Sequence, residues 1–257
     1  MRIAIIGSGN TATVFGRLLT NTGHVISGVY SKTVAHAQQL AVELNAQYHG
    51  TVDTIIDEAD LYIIAVSDDM IGNIAGALKL PGKIVVHTSG SVPMGVLGKI
   101  SSDYGILYPL QSLRKQATHQ QVIPLLVDGS NDKVKMLVKQ LAGSISGIVE
   151  EAGDDKRLKL HLAAVIAANF TNHLYALAED YCTKEGANFK TLVPLIQEIA
   201  ERTAVYSPVA MQTGPAVRGD RQIIEKHLRL LENHPAQQNI YRVLTDSITT
   251  FYENMPK

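Results

Sequence analysis

The chain opens on MRIAIIGSGNTATVFG, residues 1–16, and this stretch decides the fold. Ile3, Ala4, Ile5 and Ile6 form a short, wholly apolar run, the composition of a strand buried on both faces of a parallel sheet. Gly7-Ser8-Gly9-Asn10-Thr11-Ala12 follows without a spacer, and apolar Val14, Phe15, Leu18 and Leu19 then recur at helical spacing. Strand, tight turn and helix in the GxGxxA form make a dinucleotide-binding unit. Gly7 permits the turn, Gly9 lets a pyrophosphate approach the backbone, and Ala12 lets the helix pack close to the strand. With Ser8, Asn10 and Thr11 they complete a phosphate-binding turn, the free N–H groups of the new helix facing the anion. A purely structural glycine-rich turn is the alternative. The position of this one, directly after a strand and opening a helix, favours the nucleotide.

Working outward, 257 residues suffice for one large or two smaller domains with a sizeable core. A balance of 46% hydrophobic to 18% charged residues is that of a globular protein, and a net charge of −1 offers no basic stripe for nucleic acid or an anionic membrane. No apolar run reaches membrane-spanning length. The first residues already read as a folding strand, so no secretory leader is expected, and the single cysteine, Cys182, excludes an intramolecular disulfide and points to a reducing cytoplasm. Cys182 reads as a small buried helical residue. The nine histidines lack ligand spacing, so no metal is expected.

His24 to Tyr30 reads as a second strand, whose end normally meets the adenosine ribose. NAD-specific units carry a carboxylate there; this chain has Ser31, Lys32 and Thr33, two hydroxyls and a cation suited to a 2′-phosphate. NADP is therefore the expected cofactor, with NAD or another nucleotide as alternatives, and a helix N-cap at Ser31 or Thr33 is compatible with either. Further strands are expected at 46–49, 61–66, 84–86, 105–108, 122–127 and 145–149. Helices are expected at 34–44, 55–59, 70–78 and 131–141. The alternation predicts a doubly wound, mainly parallel α/β sheet. From Asp154 onward no strand is convincing. One long helical pattern covers 158–184, and others cover 192–205, 222–232 and 237–252. Pro194 falls in a first turn, Pro208 and Pro215 in breaks, and Pro235 at the start of the last helix. Residues 1–150 are thus expected to form the nucleotide-binding domain and 151–257 an all-helical domain.

Ligands of open α/β sheets lie beyond the carboxyl ends of the strands. Val66, Ser67, Thr88 and Ser89 are placed to border a nicotinamide there. Pro109 and Gln111, in Tyr108–Ser112, are placed to border a small-molecule substrate. The long helix is apolar nearly all round and so expected to be buried, yet His161, Asn169, Asn172 and His173 intrude. Asn169 and His173, four apart, share a face; with His161 they are the catalytic candidates, a structural histidine being the alternative for His161. In Thr213–Asp220, Thr213 and Arg218 are substrate candidates, Arg218 as a clamp for a carboxylate or a partner for Asp220. Asp220 also reads as the N-terminal charge of the next helix.

IAIIGSGNTA, VYSKT and LYIIAVSDD together resemble the Rossmann domain shared by pyrroline-5-carboxylate reductase, coenzyme F420-dependent NADP reductase and the 6-phosphogluconate/3-hydroxyacid dehydrogenases. The whole chain resembles the Rossmann-plus-DUF2520 proteins through YPLQSL (Tyr108–Leu113), AAVIAANFTNHL (Ala163–Leu174) and TGPAVRGD (Thr213–Asp220) followed by His227 and Leu228. The resemblance implies two domains, NADP, an oxidoreductase acting on a small C=O or C=N compound, and a homodimer formed through the C-terminal helices. It leaves the substrate open. One departure matters. The 3-hydroxyacid dehydrogenases place a lysine four residues before an asparagine of the interdomain helix; Asn169 matches the asparagine, but Val165 stands where the lysine belongs. An NADP(H)-binding sensor or scaffold without turnover is accordingly the competing reading.

Overall fold

The computed structural model describes residues 1–55, 59–116 and 122–255. The chain divides into two compact units, Met1–Ala168 and Asn169–Lys257. The first holds one eight-stranded sheet: β1 (Arg2–Ile6), β2 (Val25–Tyr30), β3 (Gln47–His49), β4 (Leu61–Ile64), β5 (Ile84–His87), β6 (Asp103–Pro109), β7 (Leu125–Gly129) and β8 (Val149–Glu151). Their spatial order is β3-β2-β1-β4-β5-β6-β7-β8. All pairs are parallel except β6 with β7, which is antiparallel. The order reverses between β1 and β4, so a crevice opens there at the carboxyl ends of the strands.

Wholly apolar strands are explained by helices on both faces. Ile3 and Ile5 of β1 turn to one face, where they pack with Phe15 and Leu19 of α1 (Asn10–Asn21), Leu40 of α2 (Val34–Glu43) and Val138 of α4 (Asp132–Ile145). Ala4 and Ile6 turn to the other face, against Ile71 and Ala75 of α3 (Asp68–Ala77) and Leu97 of a 3-10 segment, Met94–Lys99. The two-residue alternation of a strand thus serves two cores at once.

Several boundaries differ from those read in the sequence. The last strand begins at Val149, not Ile145, because α4 continues to Ile145, whose side chain packs against the first core. The helix expected at 55–59 crosses residues outside the described set; Val52–Ile55 is a 3-10 turn. Pro215 does not fall in a break: it starts the short helix α8 (Pro215–Arg218). No strand follows Glu151 among the described residues.

Helical structure runs from α5 (Asp154–Ala164) through a π-helical turn, Val165–Phe170, into α6 (Thr171–Lys184). The remaining helices of the second unit are α7 (Val193–Arg202), α9 (Arg221–Leu230) and α10 (Pro235–Glu253). Pro194 and Pro235 sit in first turns, as their fixed φ favours. The long helix is not buried as its composition predicts. Leu158, Leu162, Ile166 and Phe170 are each at least half exposed. Cys182 is half-buried. Among the described residues no helix is long and apolar enough to cross a membrane.

Candidate functional site

The turn after β1 is built by exclusion. Gly7 has φ +128°, and a side-chain carbon there would lie 2.1 Å from the carbonyl oxygen of Ala65. Only glycine lets the chain pass so close to the end of β4 at that angle. The Gly7 N–H donates to the Tyr30 carbonyl at 2.7 Å, which ties the turn to β2 as well. Gly9 is the opposite case: nothing lies within 4 Å of where its Cβ would be. It is the N-cap of α1, which has neither a side-chain cap nor an acidic residue in its first turn. The first N–H groups of α1 therefore stay available for an anion. Ala12 is wholly buried beneath, where a larger residue would lift the helix off the sheet.

A cavity of about 480 Å³ opens above this turn. Its floor is Gly7, Ser8, Gly9, Asn10 and Thr11; Tyr30, Ser31 and Lys32 close one end, and Val66, Ser67, Asp68 and Thr88 line the other. The volume is within the usual range for small-molecule sites. Ser8 Oγ donates to Ser31 Oγ at 2.8 Å, joining the phosphate turn to the end of β2. Lys32 is exposed and has no carboxylate partner among the described residues. Thr33 lies outside the cavity as the N-cap of α2, with its hydroxyl unused for capping. The segment after β6 is fastened over the start of α1, a closure with no sequence signature: Lys115 N–H donates to Asn10 Oδ1 at 3.3 Å, and Arg17 Nη1 donates to the Lys115 carbonyl.

Beyond Thr88 the strand ends carry a second polar group. His87 is fully buried, its Nδ1 accepting from the Ser89 N–H at 3.2 Å. Burial, reinforced by the charge of Arg157, pushes the imidazole down to about 4, so it is neutral near pH 7. Ser89 is buried outside the cavity, and its Oγ accepts from the N–H groups of Ser91 and Val92 at 3.1 Å each. The Ser91 hydroxyl in turn donates to Asp68 Oδ2. Arg157 of α5 is 1% exposed and donates to the Val92 carbonyl at 2.6 Å and to Asp154 at 2.8 Å. Asp154 also accepts from the Met94 N–H at 3.0 Å. These bonds fix α5 against the loop after β5 and hold Tyr108 OH 2.9 Å from His161 Nδ1. His161 therefore joins the strand ends of the first unit.

Asn169 lies in the π turn and His173 in α6; both are exposed and neither side chain has a hydrogen-bond partner among the described residues. Pro109 is buried at the end of β6 and Gln111 is half-buried just after it. In the second unit Thr213 lines a separate cavity of about 260 Å³ with Leu195, Ile199 and Tyr206. Arg218 is exposed and has no ion-pair partner among the described residues, and Asp220 instead caps α9 by accepting from the Ile223 N–H. Asp68 lines the cavity, in keeping with the polar strand end Ser67-Asp68, whereas His87 and Arg157 carry no sequence expectation. A charged residue four positions before a histidine on an apolar helix was the only available signal for Arg157. Among the described residues no three metal-ligating side chains converge.

Residues 2–90 match the family model described as NADP oxidoreductase, coenzyme F420-dependent, and residues 123–248 match the domain of unknown function DUF2520. No curated protein gives a match. Among solved structures, a protein of Bacteroides fragilis proposed as an NADP oxidoreductase is 36% identical, with 97% of this chain and 98% of that one covered and a TM-score of 0.86. The fold is shared with 1-pyrroline-5-carboxylate reductase of Streptococcus pyogenes (16% identity, 97% and 98% covered, TM-score 0.67). It is also shared with the imine reductase of Myxococcus stipitatus in complex with NADP+ (17% identity, 98% and 93% covered, TM-score 0.66). From the whole-length likeness to the Bacteroides protein and the two family models, the chain belongs to the NADP oxidoreductase family that couples a Rossmann-type half to a DUF2520 domain.

Proposed function

We propose that this chain is an NADP(H)-dependent reductase of a small C=O or C=N compound. The observation that carries the reading is the polarity of the cavity. An uncapped helix N-terminus lies over an open Gly9 on its floor, and the Ser8–Ser31 hydroxyl pair, with Lys32 that has no carboxylate partner among the described residues, closes the end where a ribose 2′-phosphate would sit. These residues fit the cofactor. Gly7, Ser8, Gly9, Asn10 and Thr11 would hold the pyrophosphate; Ser31 and Lys32, with Thr33 beside them, the 2′-phosphate; Val66, Ser67 and Thr88 would border the nicotinamide, with Ser89 shaping the turn behind it. The bound cofactor supplies the hydride. The protein's part is to orient the acceptor, exclude water and deliver a proton, for which His161, Asn169 and His173 are the candidates. Pro109, Gln111, Thr213 and Arg218 are proposed for the substrate, Arg218 as a carboxylate clamp.

Calorimetric titration tests this directly. NADPH is expected to bind, with NADH weaker by at least about tenfold, near 1.4 kcal/mol. Binding of neither would overturn the reading. Binding of NADPH without oxidation by any imine, 2-oxo acid or aldehyde would favour the non-catalytic sensor, the reading to which Val165 in place of a lysine lends weight.

A homodimer is part of the proposal. In the second unit no apolar side chain among the described residues is buried, while Leu195, Ile199, Tyr206, Leu230 and Phe251 are more than half exposed. An 89-residue unit with no buried apolar side chain among its described residues lacks the burial that ordinarily stabilises a domain, and in the proposal a second copy of the chain supplies it.

A further inference from the structure

Three elements of the first unit meet at Gly90. Tyr108 stands at the end of β6, 9% exposed, and His161 projects from α5; the phenol oxygen and Nδ1 are 2.9 Å apart, with the rings edge-on at 74°. A side-chain carbon on Gly90 would lie 2.8 Å from both Tyr108 Cζ and His161 Nδ1, so the pair rests directly on the backbone. That backbone is two residues beyond Thr88, which lines the nucleotide cavity. The phenol also feels Asp68, another cavity-lining residue, and the buried Arg157. Burial is the larger effect and raises the phenol above its usual range, so it keeps its proton at neutral pH.

Two features separate this pair from ordinary packing. The phenol oxygen makes a single hydrogen bond among the described residues, which leaves capacity for a second partner. The His161 ring is only half-buried, and its Nε2 has no protein partner among the described residues, so it is open to water.

We infer that Tyr108 is the proton donor of the reaction and that His161 is the positioning residue that aims and reloads it. The inference rests on the NADP(H)-dependent reductase reading above. As hydride reaches the carbon of C=N or C=O, the π pair moves onto the heteroatom and takes the Tyr108 hydroxyl proton. The phenolate regains a proton from His161 Nδ1 while Nε2 takes one from water. One hydride and one proton are consumed, and the product is an amine or alcohol. The sequence reading assigned the acid to the long helix; here the helix residue stands behind a strand-end phenol.

The test uses the full chain, with calorimetry for NADPH binding and NADPH oxidation against 2-methyl-1-pyrroline, pyruvate and hexanal. Tyr108→Phe keeps the ring and is expected to lower kcat about 100- to 1,000-fold, with KM and NADPH affinity changed less than about threefold. His161→Gln, which keeps a donor beside the phenol, should lose far less than His161→Leu. Undiminished kcat in Tyr108→Phe overturns the inference. So does a wild-type chain that binds NADPH yet reduces none of the three probes. Failure to bind NADPH overturns the reductase reading as well, and the titration identifies that case separately.

Discussion

Two glycines two positions apart should respond in opposite ways to the same added methyl group. In Gly7→Ala the new carbon stands 2.1 Å from the Ala65 carbonyl oxygen, well inside the 3.0 Å that real side-chain carbons respect. Relief requires moving Ala65, whose N–H donates to the Ile6 carbonyl at 2.8 Å beside the β1–β4 pair. The positive φ costs about 1–2 kcal/mol and the forced shift about 1–3 kcal/mol more. At about 2–4 °C per kcal/mol for a unit of this size, the melting temperature should fall roughly 10 °C. Gly9→Ala meets no atom within 4 Å and has an ordinary φ of −79°, so its stability cost is confined to the helix cap, about 1 kcal/mol at most. Its methyl instead occupies the surface a pyrophosphate must approach, and NADPH affinity should drop at least about tenfold. Denaturant unfolding and calorimetry on both variants separate the two effects. A Gly7→Ala chain as stable as wild type, or a Gly9→Ala chain binding NADPH unchanged, would refute the assignment of these roles.

The remaining predictions concern acid stability and assembly. His87, held at about 4 in the fold against 6.5 in the unfolded chain, leaves the unfolded state binding more protons between those values. Stability should be full above about pH 6.5, fall as pH drops toward about 4 and then level off, the His87 share being at most about 3 kcal/mol. His87→Asn, which keeps an acceptor for the Ser89 N–H, should flatten the difference between urea midpoints at about pH 7.5 and about pH 5; an unchanged difference would remove His87 from the account. Ile166→Glu places a charge in the exposed run of Leu158, Leu162, Ile166 and Phe170 and should weaken self-association at least about tenfold by sedimentation. A wild-type chain that is monomeric at micromolar concentration would end the dimer proposal.

What the sequence discloses tracks how local the cause is. The turn at Gly7–Ala12 is readable because its demands fall on six consecutive residues, and each is visible as a small side chain. The carboxylate-free end of β2 is readable for the same reason. Ile145 misleads because Ser144-Ile145-Ser146 alternates like a strand, whereas its place in α4 is decided by packing against a core built from distant strands. The apolar pattern of 158–184 signals burial, yet Leu158, Leu162, Ile166 and Phe170 stay at least half exposed, because burial depends on what packs against a helix and not on its composition. Tyr108 and His161 are 53 positions apart. Only the parallel pairing that brings the loop after β5 beside the end of β6 puts them together, and no spacing rule encodes that.

The two parts of the first unit's site therefore depend on sequence in different ways. In the proposed function the pyrophosphate meets backbone N–H groups over Gly7, Gly9 and Ala12, where side chains are small or absent, and only the 2′-phosphate end depends on the Ser31 and Lys32 side chains. The proton-handling end rests on side chains from β6 and α5, held in place by the Arg157–Asp154 pair and its bonds to Val92 and Met94. Arg157 is a buried cation with one half-exposed carboxylate partner, and its Nε and Nη1 lack protein partners among the described residues. A buried charge so placed contributes little net stability, and removing its partner is costly. Its value lies in geometry: it fixes α5 on the loop that carries Gly90. A chain that kept the glycine turn but lost this clamp would still bind a dinucleotide while losing control of the proton, which is the chemical difference between a sensor and a reductase built on the same fold.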